Sequence, residues 1–253
     1  RSLVEYYFTL SPALPLFILK HYQDVDIITY LDADLFFYQS PAPIYEELGK
    51  QSILIIEHRF PEHLRKKLIY GRFNVQYQSF RNDNQGRACL ERWHNQCLAW
   101  CYDRLEGDKF ADQKYLEEWP DLYNSLVILQ HKGAGLAPWN WSQYKMTLDQ
   151  GSMFIDDYPL VFYHYHALQL INACFISHGM ADFGIMPRKY LKWFYRGYIN
   201  QLKETAHWLE KKGAGQFKLG DKRIHLRVQN GQSKLQLLME ALRKLWSQIM
   251  IVC

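Results

Sequence analysis

The chain contains no CxxC pair, no apolar run approaching the ~18 residues that would cross a bilayer, no low-complexity tract, no internal repeat and no visible signal peptide. Each absence removes a class of protein. Without CxxC there is no zinc ribbon or dithiol redox motif, and the spacings of eight and four between Cys89, Cys97 and Cys101 set those thiols on one helical face. They are expected to be reduced and buried, as in a cytoplasmic protein. A net charge of +4 is too small for a nucleic-acid binder, and Lys and Arg stay dispersed until the last quarter of the chain. Gly133 and Gly135 stand two apart but lack the rest of a dinucleotide fingerprint.

What is present is an apolar fraction of 48% in 253 residues, enough for one substantial core. A helix is expected over Ser11 to Tyr22 with Pro12 near its start, and a β-branched strand over Val25 to Leu31. Further strands are expected at Ser52 to Ile56, Phe73 to Asp83, "SLVILQ" and "PLVFYHY", with a helix from Gly86 to Arg104. Asp112 to Trp119 reads as a short helix stopped by Pro120, and "HKGAGLAPWNW" as a Gly/Pro loop. Strands alternating with helices predict an α/β domain with a mostly parallel sheet over residues 1–187, then a basic helical tail over 188–253.

The stretch "YLDADLFFY" places Asp32 and Asp34 where the strand Val25 to Leu31 runs out. Ligands of α/β sheets gather outside the carboxyl ends of the strands. In an extended segment residues two apart face one side, so both carboxylates can address a single hard cation that keeps positions open for phosphate oxygens. Two solvated aspartates in a loop are the plainer alternative, but flanks as apolar as "IITYL" and "LFFY" make unpartnered charges costly.

"VDIITYLDADLFFYQSPAPIYEEL", "FNVQYQSF", "FADQKYL" and "VFYHYHAL", in that order, resemble nucleotide-diphospho-sugar transferases of the GT-A fold, nearest to retaining enzymes akin to glycosyltransferase family 8. The resemblance covers most of Leu3 to Ala167. It implies that Asp32, Asp34 and a late histidine hold Mn²⁺ or Mg²⁺ against the diphosphate of a sugar nucleotide. His164 is favoured as the third ligand over His166, on the opposite pleat, and over His131; a core histidine is the alternative. Asn74 matches the family's donor-sugar asparagine or simply starts a strand; Gln76 stands where the family has glycine and would crowd a close backbone approach. Asp112 and Gln113 match the Asp-Gln pair beneath the donor sugar, near the anomeric carbon, and Asp112 would serve equally as a helix N-cap. Ala167 replaces a family glycine, and the Lys-Pro-Trp that often follows is missing.

Gly133 and Gly135 could bring backbone N–H groups to a ligand, and Trp139 could stack on a sugar face, or the loop could simply be pinned by buried indoles. The reading that results is a metal-dependent transferase moving a sugar from a nucleotide-sugar donor to a sugar or lipid-linked hydroxyl, in polysaccharide or glycolipid assembly. Its alternatives are a non-catalytic remnant or carbohydrate-binding module, and an Asp-dependent phosphohydrolase. The last fits poorly, because Leu-Phe-Phe rather than a hydroxyl residue follows Asp34. The early position of the Asp pair and the missing initiator Met lead one to expect an upstream βαβ-type segment that covers the apolar face of Leu14 to Leu19. Leu235, Leu238, Leu242, Leu245, Trp246 and Ile249 recur at helical spacing beside basic residues, suiting packing on the domain or peripheral membrane contact.

Overall fold

The computed structural model describes residues 1–172, 174–214 and 249–251. They fall into two compact units, one of residues 1–136 with 143–164 and the other of 137–142 with those from 165 onward. Of the run expected to be an amphipathic helix, Leu235 to Trp246 lie outside the described residues, and Ile249 is in a strand, Ile249–Ile251, and not in a helix. Among the described residues no helix is long and apolar enough to cross a membrane.

The first unit opens with helix α1 (Leu3–His21), which begins well before Ser11. The Ser2 hydroxyl accepts from the Glu5 N–H at 3.3 Å and the Glu5 carboxylate accepts from the Ser2 N–H at 2.6 Å, a reciprocal cap that the sequence "SLVE" encodes. Pro12 and Pro15 therefore sit inside the helix, both buried, rather than near its start. Leu16 and Leu19 enter the core while Leu3, Tyr6, Tyr7, Leu14 and Phe17 are exposed.

Along the chain follow β1 (Ile27–Leu31), β2 (Leu35–Phe37), α2 (Ala42–Leu48), β3 (Ile53–Glu57), β4 (Phe73–Arg81), α3 (Asn84–Ala99), α4 (Trp119–Leu122), β5 (Leu126–Ile128), β6 (Ala134–Leu136), β7 (Met146–Asp149), β8 (Ser152–Ile155), β9 (Tyr158–Pro159) and β10 (Phe162–His164). The main sheet has the order β1-β4-β3-β5. Only β3 and β5 pair in parallel within it; β4 runs antiparallel to both β1 and β3. The expectation of a mostly parallel sheet is corrected accordingly: β3 returns to β4 through a short 3-10 segment, Glu62–Tyr70, instead of a crossover helix. Because β1 and β3 both oppose β4, and β5 follows β3, the carboxyl ends of β1, β3 and β5 lie along one edge.

Both faces of this sheet are covered. Ile53, Ile55, Phe73, Val75 and Phe80 pack with Leu16 and Leu19 of α1 and with Cys89, Leu90, Trp93 and Cys97 of α3. Leu54, Ile56 and Tyr77 pack on the other side with Ile44 and Leu48 of α2 and with Ala134, Val161 and Phe162. Burial on both sides is why "SILII" is apolar without alternation. Cys89, Cys97 and Cys101 are free and buried, as their spacing predicts. Cys174 is disulfide-bonded, so among the described residues the expectation of reduced thiols holds for those three and not for Cys174.

Two short segments also depart from the sequence reading. Pro120 occupies the first turn of α4, where its missing N–H costs nothing, so it begins a helical turn after the 3-10 segment Lys114–Glu118 instead of stopping one. The "HKGAGLAPWNW" segment contains β6, which joins a second small sheet of order β2-β10-β6. In the second unit β11 (Gln169–Leu170), β12 (Phe175–Ser177) and β13 (Ile249–Ile251) form an antiparallel sheet. Helix α5 (Arg188–Lys211) buries Phe194, Tyr195 and Tyr198, with Tyr165 stacked on Tyr198 at 4.0 Å and donating its hydroxyl to the Phe194 carbonyl.

Candidate metal centre

The apolar strand β1 ends at Leu31, and the Asp32 N–H is then taken by the Gln76 carbonyl of β4 at 3.0 Å. The chain turns at once: the Leu35 N–H donates to the Asp32 carbonyl at 3.3 Å. Asp32 and Asp34 thus face one side because they share a tight turn, not because they alternate along an extended segment. Strand β2 pairs with β10 so that Leu35 lies opposite His164, which brings the imidazole against the turn. His164 Nε2 lies 2.9 Å from Asp34 Oδ1 and 3.8 Å from Asp32 Oδ2. One ligand atom from each of Asp32, Asp34 and His164 falls within 4.8 Å of the others, a set able to hold one cation.

The His164 side chain is only 4% exposed, whereas those of Asp32 and Asp34 are 28% and 43% exposed, so the imidazole forms the floor and the carboxylates the mouth. Burial raises the Asp32 carboxyl above its ordinary range; His164 opposes that, while the Asp34 charge and burial act together. A divalent ion held by these three residues would offset both the burial cost and the repulsion between the carboxylates. Two carboxylates and an imidazole fit Mn²⁺ well, and Mg²⁺ through the oxygens.

A residue that sequence reasoning treated only as an obstruction turns out to orient the site. Gln76, fully buried on β4, accepts from His164 Nδ1 through Oε1 at 2.9 Å. That bond fixes the proton on Nδ1 and directs the Nε2 lone pair toward the carboxylates. The signal was in the sequence: Asn74, Gln76 and Gln78 recur at a spacing of two in β4, and all three are buried. Gln76→Leu should weaken Mn²⁺ binding about tenfold, with Gln76→Glu retaining most of it, as read by titration calorimetry. Equal affinity in the leucine variant would show that strand packing alone holds the ring.

The remaining expected site residues separate. Asp112, 4% exposed, lies beside Ser11, whose hydroxyl lies 3.3 Å from that of Tyr30; Tyr30 in turn donates to Asp32 at 3.0 Å. Burial, helped by the Asp32 charge and opposed by Ser11, pushes the Asp112 carboxyl up to about 7. Gln113 instead donates to the Tyr70 carbonyl at 2.8 Å. Asn74 is buried, accepting from the Gln76 N–H and reaching His58 Nε2, both at 3.0 Å.

Gly133 and Gly135 have local packing reasons. A Cβ at 133 would stand 1.9 Å from the Pro159 carbonyl oxygen; one at 135 would stand 2.3 Å from Ile56 Cδ1 and 3.4 Å from Gln76 Nε2, with φ at +85°. His131 is outside the cluster and packs edge-on to Tyr158. Trp139 and His166 belong to the second unit, where the indole is 3% exposed and both rings pack edge-on with Phe183. Ala167 keeps the left-handed backbone, φ +60°, that a glycine would adopt freely.

No family model matches the chain. It is 28% identical over 219 residues to the uncharacterized protein YfnD of Bacillus subtilis (strain 168), covering 83% of this chain and 68% of that one. To the uncharacterized protein YfnF of the same organism it is 29% identical over 180 residues, covering 68% of this chain and 59% of that one. Among solved structures it is similar to a glycosyltransferase involved in the glycosylation of the major capsid of PBCV-1, with a TM-score of 0.44, 9% identity and coverage of 66% of this chain and 73% of that one. Likeness of that extent leaves the function to be argued from this chain's own residues: a mixed α/β protein with an Asp-Asp-His group at the carboxyl edge of its main sheet.

Proposed function

We propose that the protein is a metal-dependent glycosyltransferase that moves a sugar from a nucleotide-diphosphate donor to a hydroxyl acceptor, a sugar or a lipid-linked one. The observation that carries this reading is the convergence of Asp32, Asp34 and an oriented His164 on one point outside a strand end. Asp32, Asp34 and His164 would hold Mn²⁺ or Mg²⁺, which would supply charge neutralisation for a departing diphosphate. The chain's own residues do the rest: Gln76 holds His164 in register, and Asp32 is kept in place by the Gln76 carbonyl and the Tyr30 hydroxyl. Asp112, buried behind Ser11 and Tyr30, is proposed to position Asp32 from beneath, and Asn74 to hold the strand that carries Gln76. The set of three ligands and the ordered motifs favour transfer over hydrolysis by a carboxylate pair.

The test is turnover of a panel of sugar nucleotides with Mn²⁺ and with chelator. His164→Ala should reduce Mn²⁺-dependent turnover on the order of a hundredfold, and His166→Ala should be mild. The reverse order would mean that the wrong histidine has been assigned. Saccharide binding without any metal-dependent turnover would favour the carbohydrate-binding alternative.

A further inference from the structure

A second feature opens on the same edge of the sheet. Glu57 ends β3, Arg59 and Phe60 follow it, Leu68 and Arg72 precede β4, and Glu117 completes the lining of a cavity of about 360 Å³. That size is at the small end for a ligand pocket. Its walls are fixed by bonds already made. The Arg59 guanidinium donates to the carbonyls of Leu129, Ala134 and His131 at 2.7, 2.9 and 3.4 Å, and the Gln143 side chain donates to its carbonyl. Arg72 is ion-paired with Glu57, and its backbone N–H donates to Glu117.

The chemistry of the occupant follows from those bonds. Both guanidinium groups are engaged and the four charges cancel, so the pocket offers little to a phosphate or a nucleoside diphosphate. What remains are carboxylate acceptors on Glu57 and Glu117 beside an apolar wall of Phe60 and Leu68. Hydroxyl groups on one side of a ligand and C–H groups on the other match that pair of surfaces.

The pocket is also tied to the candidate metal centre by an unbroken series of contacts. Phe60 stacks on His58 at 4.6 Å and 11°, and His58 Nδ1 donates to the Arg72 carbonyl. His58 Nε2 accepts from Asn74, Asn74 accepts from the Gln76 N–H, and Gln76 accepts from His164. The aromatic wall and His164 of the candidate metal centre are thus both tied to one strand, β4.

We infer that this pocket is a saccharide site for a neutral sugar ring, the acceptor of the transfer proposed above. The inference rests on that reading for the ligand's role but not for its class.

The test uses the full chain and a panel of neutral methyl glycosides, with uronic acids and a nucleoside diphosphate as charged probes, followed by saturation-transfer NMR and calorimetry. Mn²⁺ binding is measured in parallel. At least one neutral glycoside should bind, and Phe60→Ala and Glu117→Gln should each weaken it about tenfold or more while leaving Mn²⁺ binding unchanged. Retained Mn²⁺ binding shows that the variants are folded. The proposal is overturned if no neutral glycoside binds, if binding ignores both substitutions, or if a charged probe is the ligand that depends on Phe60. Neutral binding without metal-dependent turnover would sink the transferase reading and leave the saccharide site standing.

Discussion

Asp34→Asn should abolish most of the protein's stabilisation by Mn²⁺ while leaving the metal-free protein as stable as the wild type or slightly more so. The two halves of this expectation have separate causes. A hard cation is bound by charge on oxygen, and the substitution removes one of two carboxylates from a three-ligand set. A loss of at least about a hundredfold in affinity is the expected scale, or ~2.7 kcal/mol. In chelator, however, the Asp34 charge works against its neighbour, helping burial to raise the Asp32 carboxyl. Removing it relieves that repulsion. At a Mn²⁺ concentration about 100 times the wild-type dissociation constant, the wild type should gain ~2.7 kcal/mol and the variant only ~0.4 kcal/mol. Thermal unfolding with Mn²⁺ and with chelator measures both. Full Mn²⁺-dependent stabilisation of the variant would place the cation elsewhere, and a large loss in chelator would make Asp34 a structural residue.

The parts of this site that were legible in the sequence are those where chemistry conflicts with its surroundings. Two carboxylates between apolar flanks demanded partners; the third group, His164, was indicated by the family resemblance, since a histidine in an apolar strand is more often a core residue. What could not be read was how they meet. The Asp32 to Leu35 turn and the pairing of Leu35 with His164 are tertiary facts, set by which strands adjoin rather than by local propensity. Strand direction was misjudged for the same reason: "SILII" has the same composition whether its neighbour is parallel or antiparallel, because both faces are buried in either case. Gln76 was visible as bulk where the family has glycine, but its bond to a distant histidine was not. Its side chain proved to be the acceptor that holds His164. The early start of α1 was legible in "SLVE", yet Pro12 drew the boundary to itself, since proline is far commoner in a first turn than in a helix interior.

Asp112→Asn should make the protein more stable than the wild type above about pH 7 and equally stable near pH 4. The sign follows from linkage. The Asp112 carboxyl lies at about 7 in the folded chain against 3.8 as the ordinary value, chiefly because it is buried. Between those values the folded state keeps a proton that the unfolded state has released, so stability falls as pH rises through the window, and the whole cost is present above its upper end. At ~1.4 kcal/mol per pH unit the ceiling is ~4 kcal/mol, reduced by whatever relaxation the folded chain allows. Asparagine keeps the shape and a polar group toward Ser11 but cannot ionise. Denaturant unfolding in chelator at about pH 5 and about pH 8 reads the difference directly; parallel behaviour of the two proteins would mean that the buried charge is compensated in the folded chain. A carboxyl that costs the fold this much at neutral pH, joined through Ser11 and Tyr30 to Asp32, has a position that stability alone does not favour. The same variant should therefore lose Mn²⁺-dependent turnover as it gains stability. An asparagine variant both more stable and fully active would remove Asp112 from the proposed machinery and leave its burial without a functional reason.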